Sequence, residues 1–164
     1  MAIPSRHASP AQIVSNARTF FVTSSIQGKR SLLQSDRSAK LFIEVLYEYR
    51  AQSKYLLHEF VVMPDHFHML LTVSEISVER ALQLIKGGFA FRAGKTLGFK
   101  APVWQKGFSE VRVLDEKTYD NQRRYIHNNP VARHLVAREE DYPCSSAHAG
   151  FELDPPPQGL KPTS

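Results

Sequence analysis

Two histidines stand two positions apart near the middle of the chain, His66 and His68, with Phe67 between them. Residues two apart on a β-strand project from the same face of the sheet, so both imidazoles would point in one direction. A pair of neutral imidazoles can bind a divalent metal. Hydrophobic residues precede and follow the pair, and on this motif alone two half-buried strand histidines without a metal are the favoured interpretation.

A second motif lies in the stretch from Arg123 to Pro130, where Tyr125 precedes Asn129 by four positions. Residues four apart on a helix share one face, so the phenol and the amide would be neighbours. They could meet at one metal-bound phosphate, with the phenol as nucleophile and the amide oxygen as ligand. Arg123 and Arg124 would add positive charge for that phosphate. The alternative is an ordinary helix end, with Tyr125 packed on a sheet and Asn129 as C-cap before Pro130.

The elements that carry these residues follow from hydrophobic spacing and β-branched content. The sequence predicts strands over 19–23, 56–63, 67–73 and 110–114, and helices over 38–50, 78–91 and 116–129. This order is that of the ferredoxin-like split βαβ fold followed by a helix. We therefore predict an α+β fold, an antiparallel sheet with helices packed on one face. That fold hosts many functions and decides none of them.

Glycine and proline predict where these elements end. Pro64 and Asp65 indicate a tight turn, so the second and third strands should form an antiparallel hairpin. The glycine pair at 87 and 88 is expected to kink or end the second helix, because glycine weakens a helix interior. Pro130 is expected to end the third helix.

The length of 164 residues predicts one domain with tails. We expect a flexible N-terminal arm over 1–17, a folded domain over 18–150 and a disordered, proline-rich tail over 151–164. The single cysteine, Cys144, excludes a disulfide within the chain and a cysteine-based zinc site. No apolar run approaches the roughly 18 residues of a membrane span, and the first residues lack a secretory signal. A cytoplasmic protein without a membrane partner is expected.

The chain carries 21 lysine and arginine residues against 16 acidic ones, a formal charge of +5. Seven basic residues and one acidic residue lie between Arg80 and Arg112. This excess indicates a polyanionic partner such as nucleic acid, or equally a solvated lysine-rich surface. The candidate DNA-binding residues of this segment are Lys86, Arg92, Lys95, Lys100, Lys106 and Arg112.

Several separated motifs occur in one order: VMPDHFHML at 62–70, VWQKGF at 103–108, YIHNNPV at 125–131 and YPCSSA at 142–147. Together they resemble the REP-associated tyrosine transposases, small transposases of the HUH class that carry a single catalytic tyrosine. The resemblance extends from about residue 18 to residue 148. Several motifs in the right order are far more specific than any one of them.

The resemblance implies a role for each motif. His66 and His68 would be metal ligands, Tyr125 the nucleophile, and Asn129 the third ligand one helical turn beyond it. Relatives often carry glutamine at that place, and the adjacent Asn128 stays an alternative. The cofactor would be Mg²⁺ or Mn²⁺. A second set, Trp104 and Gln105, would contact DNA or support the structure.

The function implied is cleavage and rejoining of single-stranded or hairpin DNA through a 5′-phosphotyrosine intermediate. Resemblance to the REP-associated group also favours a monomer over a homodimer for this protein. Longer HUH enzymes with three-histidine clusters do not fit the chain, and neither do phosphoesterases with two His-x-Thr/Ser motifs. The alternative that stays open is a non-catalytic, domesticated protein that binds specific single-stranded nucleic acid.

Overall fold

The computed structural model describes residues 16–163, which form one four-stranded sheet and three α-helices. The strands are β1 (Arg18–Ser25), β2 (Leu56–Val62), β3 (His66–Val73) and β4 (Ser109–Val113). The helices are α1 (Asp36–Ala51), α2 (Val78–Leu97) and α3 (Glu116–Ala132). The sheet order is β2-β3-β1-β4 with every pair antiparallel, which confirms the predicted fold class.

Each helix begins at a side-chain cap. The hydroxyls of Ser35 and Ser77 and the carboxylate of Asp115 accept a hydrogen bond from the backbone N–H three residues further on. Such caps satisfy donors that the first helical turn cannot pair internally. The three helix starts are therefore encoded locally, before any packing.

The first face of the sheet is covered by α1 and α2. Phe42 of α1 is fully buried, with its ring 4.9 Å from that of Phe67 on β3 and 5.6 Å from that of Phe89 on α2. Phe67 follows the alternation of β3, in which odd-numbered side chains point to this face. This cluster is the larger of the two cores.

The second face is covered by α3, so only the first two helices share a face as expected. Tyr119 and Ile126 of α3 are buried with Leu70 of β3 and Val61 of β2. All eight residues of β3 are buried, because the strand has a helical layer on each side. The even-numbered residues of β3, including both histidines, therefore lie under α3.

Helix α2 continues through its glycine pair to Leu97, contrary to the predicted kink or end. A Cβ on Gly88 would lie 3.1 Å from Cγ1 of Val45 and 3.2 Å from the ring of Tyr49. The glycine is thus required for the close approach of α1 and α2. The helix ends instead at Leu97, and the next residue, Gly98, caps it with a φ of 71° in the left-handed region.

Helix α3 also runs past its predicted end, with Pro130 inside the last turn. Proline lacks an N–H and deprives only the carbonyl of Ile126 of its helical partner. The following turn still closes, since the N–H of Arg133 donates to the Asn129 carbonyl at 3.1 Å.

The segment 151–163 packs on the domain, although the sequence predicts disorder over 151–164. The ring of Phe151 lies 5.0 Å from that of Phe60, and the Asp154 carboxylate accepts from the Leu57 N–H at 2.7 Å. The same carboxylate pairs with Arg50 at 3.0 Å. Aromatic and charged anchors, rather than a hydrophobic run, hold this segment. The arm predicted over 1–17 lies outside the described residues except for Asn16 and Ala17.

Within residues 16–163, no helix combines the length and the apolar character needed to cross a membrane.

Replacing Phe42 by alanine should lower the free energy of unfolding by about 3–5 kcal/mol, because it leaves a cavity among packed rings. Urea denaturation monitored by circular dichroism would measure the loss. Phe91, which is 64% exposed on α2, provides the control. Phe91→Ala should change stability by no more than about 0.5 kcal/mol, and equal losses in the two variants would contradict this description of the core.

Candidate nucleophile and metal site

His66 and His68 lie side by side at the start of β3. The hairpin places them there, since the N–H of Met63 donates to the His66 carbonyl at 2.8 Å. The ring centroids are 4.8 Å apart, and the two residues are only 4% and 6% exposed. The structure thus brings both imidazoles to one buried position at the end of the hairpin, on the face covered by α3.

One nitrogen of each imidazole already has a partner. Nδ1 of His66 is 2.6 Å from the Asp65 carboxylate, and Nδ1 of His68 is 2.7 Å from the Thr23 hydroxyl. A carboxylate can only accept, so Nδ1 of His66 carries the proton and Nε2 keeps its lone pair. The same tautomer in His68 leaves Nε2 free, and this buried atom has no hydrogen-bond partner. Such partners fix the orientation of metal-ligating histidines.

Thr23 and Asp65 are site residues that the sequence analysis did not identify. Asp65 was assigned only to the turn, and Thr23 only to a strand. Thr23 pairs with His68 in the antiparallel register of β1 and β3, so the register alone could have found it. The position of Asp65, next to His66 in the motif, was the available signal for the other contact.

Tyr125 reaches the histidines from α3. Its ring lies 5.2 Å from the ring of His68 in an edge-to-face arrangement. The ring of Phe21 stacks on His68 at 5.5 Å and meets Tyr125 edge-on at 6.1 Å. Tyr125 is 52% exposed, so an external substrate can approach it. The structure therefore joins the two motifs that the sequence suggested separately.

Asn129 is buried on α3, and its side-chain oxygen has no hydrogen-bond partner. An unpaired buried acceptor is costly, and native structures contain few of them. His68 packs against Tyr125, and Asn129 lies one helical turn beyond it, so a divalent cation that reached both unpaired atoms would satisfy them. Imidazole and amide oxygen are suitable ligands for Mn²⁺, and an oxygen ligand also suits Mg²⁺. The neighbouring Asn128 is exposed, which favours Asn129 of the two asparagines as a ligand.

Electrostatics keep both imidazoles neutral. Burial lowers the pKa of His66 even though the Asp65 carboxylate opposes the shift. Burial, with a contribution from the positive charge that His66 gains on protonation, lowers the pKa of His68 to about 3. Neutral imidazoles have lone pairs available for a metal at physiological pH.

The position of α3 is fixed by a hydrogen-bonded group on β2. Nε2 of His127 is 2.6 Å from the Glu59 carboxylate, which also accepts from the Ser146 hydroxyl at 2.7 Å. A β-bulge between Leu57 and Glu59 shifts the register, and Glu59 comes to pair with Leu70 on the α3 face. This group anchors the helix two residues beyond Tyr125.

The candidate DNA-binding residues fall into three groups. Arg123 and Arg124 lie on α3 beside Tyr125, and Arg124 is exposed. Lys95, Lys100, Gln105 and Lys106 are exposed outside α3. The backbone N–H of Gln105 donates to the Ser25 carbonyl at 2.8 Å, which places its loop beside the end of β1.

Four further candidates have structural partners on the α1–α2 side of the sheet. The Lys86 ammonium donates to the Gly107 carbonyl at 2.7 Å, and the Trp104 indole donates to the Lys86 carbonyl at 2.9 Å. The Trp104 ring also packs 5.4 Å from that of Phe67, which favours its structural role. Arg92 forms ion pairs with Glu44 and Glu48. The Arg112 guanidinium lies over the Phe20 ring.

Comparison with known proteins gives consistent results. A family model described as "Transposase IS200 like" matches residues 14–129. A Haemophilus influenzae protein named for the REP-associated tyrosine transposases is 24% identical in sequence to this chain. The match covers 86% of this chain and 90% of that protein. A REP-associated tyrosine transposase solved with a REP hairpin has a TM-score of 0.70 at 21% identity, covering 90% of this chain and 93% of that one. A Deinococcus radiodurans structure described as a candidate transposase has a TM-score of 0.52 at 21% identity. The match covers 67% of this chain and 88% of that one.

The antiparallel sheet, with a tyrosine helix over its histidine pair, places the protein among single-tyrosine transposases. The chain belongs to the IS200-like transposase family. The resemblance to REP-associated tyrosine transposases seen in the sequence is confirmed.

Replacing Glu59 by alanine should lower the free energy of unfolding by about 1–3 kcal/mol, because it leaves His127 and Ser146 without their shared acceptor. Thermal or urea unfolding would measure the change. Glu48 is the matched control, since its ion pair with Arg92 is exposed. Glu48→Ala should cost less than about 1 kcal/mol. If both variants lost the same stability, the Glu59 group would not anchor α3.

Proposed function

We propose that this protein cuts and rejoins single-stranded or hairpin DNA, with Tyr125 as the nucleophile. The observation that carries the proposal is the half-exposed Tyr125 ring 5.2 Å from the buried ring of His68. Asn129, one helical turn further on, presents an unpaired oxygen. A packing tyrosine at a helix end would need neither the histidine pair nor the unpaired amide.

The reaction is a transesterification at a phosphodiester. The phenolic oxygen of Tyr125 forms a bond to phosphorus, and the bond from phosphorus to the 3′ oxygen breaks. The phenol gives up its proton to solvent, and the leaving oxygen takes one up as a free 3′-hydroxyl. The downstream strand stays on the protein, joined to Tyr125 through its 5′ phosphate. Because the phosphodiester energy is conserved, another 3′-hydroxyl can reverse the step and rejoin strands without ATP.

The residues that would hold Mg²⁺ or Mn²⁺ are His66, His68 and Asn129. When bound, a divalent cation supplies Lewis-acid stabilisation of charge on the phosphate oxygens. Asp65 and Thr23 serve this site by holding each imidazole with Nε2 available. The fit rests on two of the four buried side-chain atoms that lack a hydrogen-bond partner within the described part of the chain, Nε2 of His68 and the oxygen of Asn129.

The substrate class is supported by likeness and by charge. The structural neighbour with a TM-score of 0.70 was solved with a REP hairpin, and we extend hairpin DNA to this chain as a substrate. The formal charge of +5 suits a nucleic acid partner. Tyr125 contacts His68 of the same chain, so one copy carries both halves of the site. This supports a protein that acts as a monomer.

Tyr125→Phe should abolish the covalent protein–DNA adduct while leaving DNA binding within about twofold of wild type. Phenylalanine keeps the ring that packs against His68 and loses only the nucleophilic oxygen. Incubation with labelled single-stranded hairpin DNA and Mn²⁺, followed by a denaturing gel, would detect the adduct.

Tyr119→Phe is the control for this experiment, because Tyr119 is buried on the same helix six residues earlier. It should form the adduct as wild type does. An adduct in the Tyr125→Phe lane would exclude Tyr125 as nucleophile. If wild type itself formed none with any hairpin tested, a DNA-binding protein without catalytic function would be the better description.

His68→Ala should weaken Mn²⁺ binding at least tenfold, since it removes a ligand. Thr23→Val should weaken it about 10–100-fold, as loss of a partner that orients a ligand typically does. Calorimetric titration of the full chain would measure both. His148→Ala is the control, because the Nδ1 of that residue is 2.8 Å from the Glu140 carbonyl and not from a residue of the site. Equal affinity in wild type and His68→Ala would refute the metal site.

A further inference from the structure

The site described above carries little positive charge of its own. Two neutral imidazoles, an amide and a phenol face a phosphodiester that is already anionic and gains charge at the oxygens during attack. Arg123 and Arg124 precede Tyr125 in sequence. Two other cations, which the motifs did not indicate, lie on the elements that carry the site: Lys29 in the turn after β1 and Arg133 at the end of α3.

Lys29 follows β1 in the short 3₁₀ turn Gln27–Lys29, with a φ of 57°. Its ammonium donates to the Ser25 hydroxyl at 3.1 Å. Ser25 pairs in register with His66, just as Thr23 pairs with His68. Alternate residues of β1 share a face, so the Ser25 side chain lies on the face of the histidines. The Lys29 ammonium is therefore held next to the His66 end of the site.

Arg133 lies directly after α3, and its N–H donates to the Asn129 carbonyl at 3.1 Å. The positions 125, 129 and 133 follow one another at the four-residue spacing of a single helical face. Arg133 thus extends the line that begins with the nucleophile and continues with the unpaired amide. A guanidinium offers two parallel N–H groups that match the oxygens of a phosphate.

Both cations are exposed, and neither has a carboxylate within 4.0 Å among residues 16–163. Arg92 differs in that two glutamates neutralise it. Neither cation is therefore held in an ion pair, and both can bind an anion.

We propose that Lys29 and Arg133 bind the scissile phosphate, one from the turn after β1 and the other from the end of α3. They hold its non-bridging oxygens while Tyr125 attacks and stabilise the charge that develops on them. This inference rests on the proposed function and adds substrate-binding residues to it. Asp65 and Thr23 orient the imidazoles, whereas Lys29 and Arg133 contact the DNA itself.

The test measures single-turnover adduct formation with hairpin DNA and Mn²⁺ at saturating protein. Lys29→Gln and Arg133→Gln should each lower the rate constant at least tenfold, since removal of one charge-stabilising donor typically costs about 10²–10³-fold. Arg133→Lys keeps the charge and should recover part of the rate. Lys40→Gln is the control, because Lys40 is an exposed cation on α1 on the other face of the sheet, and it should react within twofold of wild type.

A second measurement uses binding alone, in the Tyr125→Phe background and over a range of salt concentrations. Each lost phosphate contact should reduce the slope of log affinity against log salt by about 0.7 for single-stranded DNA. The double variant that combines Lys29→Gln with Arg133→Gln should show both reductions of the slope. Lys40→Gln should leave the slope unchanged. Circular dichroism should show unchanged folding, since both side chains are exposed.

The outcomes separate the two proposals. If wild type forms the adduct and both glutamine variants form it within twofold of the wild-type rate, the phosphate-binding role of Lys29 and Arg133 is refuted while the nucleophile stands. If wild type forms no adduct, the proposed cleavage fails, and the salt slopes still decide whether these cations contact DNA. An unchanged slope in the double variant would refute that contact.

Discussion

Ile126 and Tyr119 of α3 are buried against Val61 and Leu70 of the sheet, and the whole site depends on this contact. The histidines come from a hairpin and the tyrosine from a helix about sixty residues later in the chain. Only the packing of α3 on the second face brings the two together. Burial of four large side chains supplies the stabilisation, roughly 1.5–3 kcal/mol for each. The Glu59 carboxylate also fixes the orientation of α3 on the sheet, because it is hydrogen-bonded to His127.

Much of this fold could be predicted from sequence, because it is encoded locally. Hydrophobic spacing and β-branched content predicted all four strands and all three helices in the right order. Two of the errors arose where a distant contact decided the outcome. Gly88 is required by the side chains of Val45 and Tyr49 on another helix, and no local pattern shows this. The C-terminal segment is held by Phe151 and Asp154 through partners about a hundred positions away.

The candidate site shows the same division. The sequence singled out His66, His68 and Tyr125, and the structure brings them together; their chemical roles are still predictions. The choice of Asn129 over Asn128 needed burial, which depends on how α3 lies on the sheet. Thr23 was missed because the register of β1 with β3 must be known before it can be paired with His68. Charge counting likewise grouped Lys86 and Arg92 with free cations, although each has partners within the fold.

The residues from Cys144 onward also pair with the sheet on the β2 side. The Val62 N–H donates to the Cys144 carbonyl at 2.8 Å, and the Ser146 N–H donates to the Phe60 carbonyl at 2.9 Å. Further along, the Asp154 N–H donates to the Leu57 carbonyl at 2.8 Å. An outer strand whose polar backbone is left open can pair with another molecule and aggregate. The chain from Cys144 onward therefore covers the β2 edge. A protein shortened before Cys144 would expose that edge and become prone to self-association through β2.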